Sequence, residues 1–250
     1  MSLVSTLLRP LVSLALPSAV LDRGPSLNGT RYLAKAAMRS WFGGRPFQMV
    51  NVGACDGALF DDVTPWLHKI RNSRAVLVEP IPYNQQRLRQ NYPDTKRFVI
   101  EPVAITTGSG AITVKTFDAA ALESGKLPIE FIGCSSITDT NLISGKDAWG
   151  ESDVNFGKFA PYLKDIEVPG ETLQSVLDRN GVTHIDAFLV DCEGADWIVF
   201  QQLDLERYRP GMIKVEIGSL GALDIGNVLV KLETAGYRVG IYGEDVWAFA

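Results

Sequence analysis

The chain has 250 residues, 46% of them apolar, which suits one globular domain with a sizeable core and argues against intrinsic disorder. Its 24 basic and 29 acidic residues leave a formal charge of −5 without a basic run, so it lacks the electrostatic footprint of a nucleic-acid binder. Cys55, Cys134 and Cys192 are the only cysteines and show no C-x-x-C spacing, which argues against a disulfide framework or a zinc site and for a reducing, cytoplasmic setting.

In chain order, Leu11 to Leu21 is apolar apart from Ser13, Pro17 and Ser18. It is shorter than the roughly 20 apolar residues of a membrane span, so no transmembrane segment is expected. We read it as part of an arm, residues 1–45, that packs on the body or forms a homodimer contact. A signal peptide led by Arg9 and a peripheral membrane contact are the alternatives. Leu27 to Trp41 has helical periodicity and is closed by Gly43, Gly44 and Pro46. Phe47 to Val52 reads as a buried strand, and about Leu59 to Ile70 as a helix with Pro65 near its first turn. Then follow a strand over Ala75–Glu79, a helix over Pro82–Gln90 and a strand over Phe98–Ala104. Continuous apolar strands alternating with helices predict parallel pairing with right-handed crossovers. Gly110 to Asp118 alternates and suits an antiparallel or edge strand. From about 119 to 165 the chain is rich in Gly, Ser, Asp and Asn and reads as an irregular insertion, a candidate lid. Regularity resumes with a helix over Glu171–Gly181, a strand over His184–Asp191, a helix over Ala195–Leu203 and a strand over Met212–Gly218. A helix over Gly221–Gly236 and a closing hairpin, Tyr237–Gly243 with Asp245–Ala250, end the chain. The expected architecture is a doubly wound, mostly parallel seven-stranded α/β sheet with an antiparallel C-terminal hairpin, built as one domain over 46–250.

In such sheets ligands bind beyond the carboxyl ends of the strands, so the first strand–helix turn, "VGACDG", lies at the site. Gly53 lets backbone approach a ligand and Gly57 lets the next helix pack closely. A dinucleotide needs a second glycine where Cys55 stands, and Asp56 adds negative charge where pyrophosphate would sit. A ligand without pyrophosphate is therefore expected, and S-adenosyl-L-methionine (SAM) fits. Asp56 either receives its ammonium group or caps the helix that follows. Glu79, at the end of the second strand, suits an acceptor for both ribose hydroxyls. Its alternative role is to cap the helix that follows.

"FLVDCEGADW" ends an apolar strand in Asp191, followed by Glu193 and Gly194. Two residues apart on extended backbone, the two acids point to one side, and Cys192 points away into the core. Glu216 ends the next strand at the same edge. Converging carboxylates require a cation, a proton or a metal to be tolerated.

The motifs "VNVGACDG", "VLVEPIP", "SSIT" (Ser135 to Thr138), "TLQSVL" and "IDAFLVDCEGAD", in this order, resemble the FkbM-type family of SAM-dependent methyltransferases over about Val50 to Ile217. The resemblance implies a class I methyltransferase fold and methylation of hydroxyl groups on sugars, glycosides or other secondary metabolites. It places Gly53, Ala54 and Gly57 along SAM, Glu79 on its ribose, and Ala104 and Ile105 beside the adenine. Asn51, Cys55, Asp56 and Pro80 complete the expected cofactor-binding set, to which Asp191 also belongs. Asp191 and Glu193 face donor and acceptor, and S-adenosylhomocysteine is the implied product. Cys55 departs from the family, which commonly has Asn there.

A hydroxyl is a poor nucleophile until a base or metal assists. His184, seven strand residues from Asp191, lies about 23 Å from the site edge and reads as structural. His68 reads as a cation at a helix C-terminus. The catalytic candidates are therefore Asp191, Glu193 and Glu216, either as a carboxylate base or jointly holding Mg²⁺. A third alternative leaves Glu193 only shaping its loop. The cysteines read as small apolar fillers. Trp149, Phe156 and Tyr162 are candidates to stack on a sugar ring. A nicotinamide-dependent oxidoreductase and a non-catalytic nucleoside-binding protein are the competing functions. The acceptor is expected to be a small molecule or oligosaccharide.

Overall fold

The computed structural model describes residues 26–42, 44–59, 61–137 and 159–250. The apolar segment Leu11–Leu21 lies outside them, as do Trp149 and Phe156. Among the described residues no helix is long and apolar enough to cross a membrane.

The elements are α1 (Ser26–Trp41), β1 (Phe47–Val52), a 3-10 turn (Thr64–His68), β2 (Ser73–Val78), α2 (Pro82–Asn91), β3 (Phe98–Glu101), β4 (Ala104–Ile105) and β5 (Gly110–Phe117). They continue as α3 (Ala119–Glu123), β6 (Leu163–Glu171), α4 (Leu173–Arg179), β7 (Ala187–Val190), α5 (Asp196–Phe200), β8 (Met212–Glu216), α6 (Ala222–Thr234), β9 (Arg238–Tyr242) and β10 (Asp245–Phe249).

Seven strands form one sheet in the order β3-β2-β1-β7-β8-β10-β9. The first five are parallel, and β10 runs antiparallel to both β8 and β9. This is the expected doubly wound sheet with its antiparallel hairpin. β1 is buried on both faces, so its side chains divide between two cores. Val50 and Val52 join Leu173, Val176, Phe188, Phe200 and Leu232 on one side. Met49 joins Leu33, Trp66, Leu67, Leu88 and Tyr92 on the other. Each such fully buried side chain contributes roughly 1.5–3 kcal/mol.

Three expectations are corrected and one is met in a second sheet. The helix expected from about Leu59 to Ile70 shrinks to the 3-10 turn, because Asp61 accepts from the N–H groups of Val63 and Thr64 and Pro65 follows at once. The strand expected to run from Phe98 to Ala104 ends at Glu101. Pro102 has no N–H to continue a ladder, and Ala104–Ile105 leave to pair with β6. The Gly110–Asp118 strand is antiparallel and at an edge, as expected, and it belongs to a second sheet, β4-β6-β5. Finally, the span taken as irregular contains α3, a 3-10 turn at Ile129–Gly133 and the start of β6.

Candidate functional site

The carboxyl ends of β1, β2, β7 and β8, the strand β4, the 129–137 segment and the β9–β10 turn enclose a cavity of about 940 Å³. That is the upper end of the 300–1,000 Å³ common for small-molecule sites, room for two ligands together.

The β1 loop forms one wall. Gly53 has φ +83°, and a Cβ there would strike the carbonyl of Asp191, so the neighbouring loop itself demands glycine. Gly57 has φ +69° and faces Tyr92 and Leu88. The helix it admits is α2, not the one expected next in the chain. The Tyr92 hydroxyl donates to its carbonyl at 2.7 Å. Between them Cys55 has φ +48°, a left-handed conformation that Asn tolerates better than Cys. The Cys55 side chain packs against the cluster that contains Phe117, Leu127 and Phe131.

Asp56 does not line the cavity. Its Oδ1 accepts from the N–H groups of Ala58 and Leu59 at 3.0 and 2.8 Å, and its Oδ2 from Arg87 at 3.1 Å. The capping alternative is what the geometry presents, and the ammonium role has no carboxylate free for it. Asn51 is near the cavity, but its amide is engaged below, donating to Thr64 at 2.9 Å and Asp61 at 3.2 Å.

Glu79 is 3% exposed and ties the two loops together. Its Oε2 accepts from Cys55 N–H and its Oε1 from Ile81 N–H, both at 2.8 Å. Burial pushes its carboxyl up to about 7 against these donors. Pro80, Ala54, Ala104 and Ile105 line the same end, the last two as an apolar wall.

The opposite end is acidic. β7 stops at Val190, and the chain turns sharply, with φ +49° at Glu193 and +98° at Gly194. The backbone is not extended there, yet Asp191 and Glu193 both reach the cavity and Cys192 packs against the core, as expected. The turn brings Asp191 and Glu193 to the cavity, and Cys192 lines it as well while its thiol approaches the Val52 carbonyl at 3.5 Å. Burial raises the Cys55, Cys134 and Cys192 thiols well above their ordinary range, which suits inert fillers. Asp196, which the sequence reading left aside, holds the turn by accepting from Cys192 N–H at 2.8 Å and Gly194 N–H at 3.0 Å. Ser136 of "SSIT" closes it from the other side, donating to the Glu193 carbonyl at 2.8 Å.

Glu193 is pushed up to about 8, by burial first and then by Asp191 and Asp196. Glu216 is raised further by burial and the same acids, and its Oε2 is buried without a hydrogen-bond partner. Burial also raises Asp191, while Lys214 pulls it down. Asp191 is open to the cleft, so water relieves much of its burial penalty until a ligand fills the space.

Lys214 is the cation the acids require. It lines the cavity, pairs with Asp245 at 3.2 Å and lies 5.9 Å from the Trp247 ring centre. Sequence reasoning missed it, although a lysine two residues before Glu216 in an otherwise apolar strand must share Glu216's face. Among the described residues no three His, Cys, Asp or Glu side chains come together as a metal-holding group, which does not favour the Mg²⁺ alternative for Asp191, Glu193 and Glu216.

The remaining candidates lie elsewhere. His184 sits near the Pro46 carbonyl at 3.2 Å, at the opposite end of β7. His68 stacks on Tyr92 at 4.7 Å, and burial and Arg97 lower its pKa, so it is not the helix-end cation expected. Tyr162 packs against the Phe117–Phe131 cluster and does not line the cavity.

A family model described as the methyltransferase FkbM domain matches residues 51–239. No curated protein matches the chain in sequence. Among solved structures, the methyltransferase FkbM from Methylobacillus flagellatus KT is similar at 12% identity and a TM-score of 0.49, over 97% of this chain and 59% of that one. The chain thus spans 59% of that relative's length. A precorrin-6y C5,15-methyltransferase from Geobacter metallireducens GS-15 is similar at 10% identity and a TM-score of 0.40, over 88% of each chain. A fibrillarin pre-rRNA processing protein from Methanococcus jannaschii is similar at 11% identity and a TM-score of 0.38, over 82% of this chain and 65% of that one.

Proposed function

The chain belongs to the FkbM methyltransferase family, and we propose on that premise that it transfers a methyl group from SAM to a hydroxyl of a sugar, glycoside or other secondary metabolite. The observation that carries the cofactor assignment is Glu79, a buried carboxylate fixed at the cavity wall by two backbone donors. Its remaining lone pairs suit a vicinal diol. Ala104 and Ile105 give an apolar wall for a purine, and among the described residues the lining contains no Arg or His to clamp a pyrophosphate. These features fit SAM and disfavour a nicotinamide dinucleotide. Gly53, Ala54, Glu79, Pro80, Ala104 and Ile105 would hold it.

When bound, SAM supplies an electrophilic methyl group on a positively charged sulfur. The chain's task is to orient an acceptor hydroxyl and take its proton. Asp191 suits the base: it opens to the cleft, and Lys214 favours its ionised form. Glu193, pushed up to about 8, keeps its proton at neutral pH. The three free cysteines suit a cytoplasmic setting.

Calorimetry tests the reading: S-adenosylhomocysteine should bind and NADH should not. Failure of folded protein to bind S-adenosylhomocysteine overturns it. Methyl transfer should survive EDTA, because among the described residues no three carboxylates are assembled to hold a metal; loss of activity restored by Mg²⁺ would contradict this.

A further inference from the structure

We propose that the exposed face of α1, together with the turn after Thr64–His68, docks the protein on an anionic membrane surface. This goes beyond the methyl-transfer reading and does not rest on it. The chain's charge is divided unevenly. Residues 1–55 carry six basic residues and one acid, Asp22, for a charge of +5, whereas residues 56–250 carry 18 basic and 28 acidic residues, for −10. No acid lies between Arg23 and Cys55. Leu33 of α1 is buried in the cluster that contains Trp66 and Trp247, while Arg31, Lys35 and Arg39 form an exposed stripe at a spacing of four. Among the described residues no acid forms an ion pair with any of the three. The Ser40 hydroxyl accepts from Asn72 N–H at 2.8 Å, which sets the exposed Lys69 and Arg71 beside the end of the helix. Phe42, just beyond, is 86% exposed, more than any other large apolar side chain described. In sequence the apolar run Leu11–Leu21 precedes the helix.

A solvated helix face ordinarily mixes both signs. Here Arg31, Lys35 and Arg39 repel one another at i,i+4, and an anionic surface turns that cost into attraction. Cations that draw the protein to lipid headgroups, joined to apolar side chains that enter the acyl boundary, are the two signals that peripheral attachment requires. Phe42 and the Leu11–Leu21 run supply the apolar part. A second copy docking through the same face would set cations against cations. A nucleic acid would answer the cations and leave the apolar run without a place. Asn72 immediately precedes β2, so this end of α1 lies by the amino ends of the strands. The cleft, at their carboxyl ends, stays open when the face is docked.

The test is flotation of the full chain with vesicles of phosphatidylcholine, either alone or with about 30% phosphatidylserine. The protein should bind the anionic vesicles at least about tenfold more tightly, and this preference should fall as salt rises from about 0.1 to 0.5 M. Arg31→Gln/Lys35→Gln/Arg39→Gln should abolish the preference. These side chains are exposed, so an unchanged melting temperature controls for folding. Phe42→Ser should weaken binding about threefold or more, and by a similar factor at both salt concentrations, because apolar insertion is not screened. Absence of binding to the anionic vesicles, equal binding to both kinds, or a preference kept by the triple variant overturns the proposal. So does tighter binding of a single-stranded RNA oligonucleotide than of the anionic vesicles. A dimer seen by light scattering that the triple substitution dissolves would assign the face to a second copy and overturn it as well.

Discussion

Glu79 serves the fold and the cleft at once, and its substitutions should separate the two roles. Glu79→Ala strands the buried N–H groups of Cys55 and Ile81, at about 1–3 kcal/mol each, so both the urea midpoint and S-adenosylhomocysteine affinity should fall. Glu79→Gln keeps one acceptor oxygen. It should lower affinity by about tenfold or more with a smaller change in midpoint. Gly53→Ala should destabilise the protein by about 2 kcal/mol or more, because left-handed backbone and the Asp191 carbonyl both oppose a Cβ; denaturant titration reads it. The positions of Gly53, Glu79, Asp191 and Glu193 were legible because strand-end residues of a doubly wound sheet share one edge. The assignment of Asp56 between two roles was not, since its partner Arg87 lies on α2, far along the chain. Lys214 escaped for a related reason: its meaning depends on carboxylates from β7 and β10 that only the sheet order brings beside it.

At the scale of elements, β1, β2, β7 and β8 read clearly because strands covered on both faces are continuous apolar runs. β6 did not. Its residues are mostly exposed or half-buried and include Pro169 and Gly170, so neither an apolar run nor clean alternation marks it. Its strand character comes from the ladder with β5, from Gly110–Gly170 to Phe117–Leu163. The small sheet is joined to the main one by Arg179 on α4, which binds Glu101 of β3 at 2.7 Å and Glu171 of β6. Glu101 is nearly buried, so Arg179→Met should leave an uncompensated carboxylate and destabilise the protein by about 1–3 kcal/mol. Hydrogen exchange should show the loss concentrated in β4, β5 and β6. Uniform exchange across both sheets would argue against this linking role.

For the whole molecule, the concentration of acids in one cleft sets an unusual pH dependence. Burial holds Glu79 at about 7, and burial with neighbouring carboxylates holds Glu193 at about 8. Ordinary carboxyl groups titrate near 4.3. Between those values the folded state keeps protons that the unfolded state has released, so stability is full below about pH 4 and is lost as pH rises towards 8. Glu101, lowered by Arg179, has the opposite sign but acts only below the ordinary carboxyl range. The ligand-free protein should therefore melt several degrees higher at pH 5.5 than at pH 8, and Glu79→Gln/Glu193→Gln should flatten the profile. A melting temperature that rises over this interval would contradict the account. By itself the sequence determined the doubly wound sheet, its hairpin, the edge carrying the site and the family, because periodicity and strand-end motifs are local properties of the chain. Only the tertiary structure decided that Asp56 is a cap, that Gly53 answers to Asp191 and that Lys214 stands among the acids, because each depends on which distant segments the sheet brings into contact.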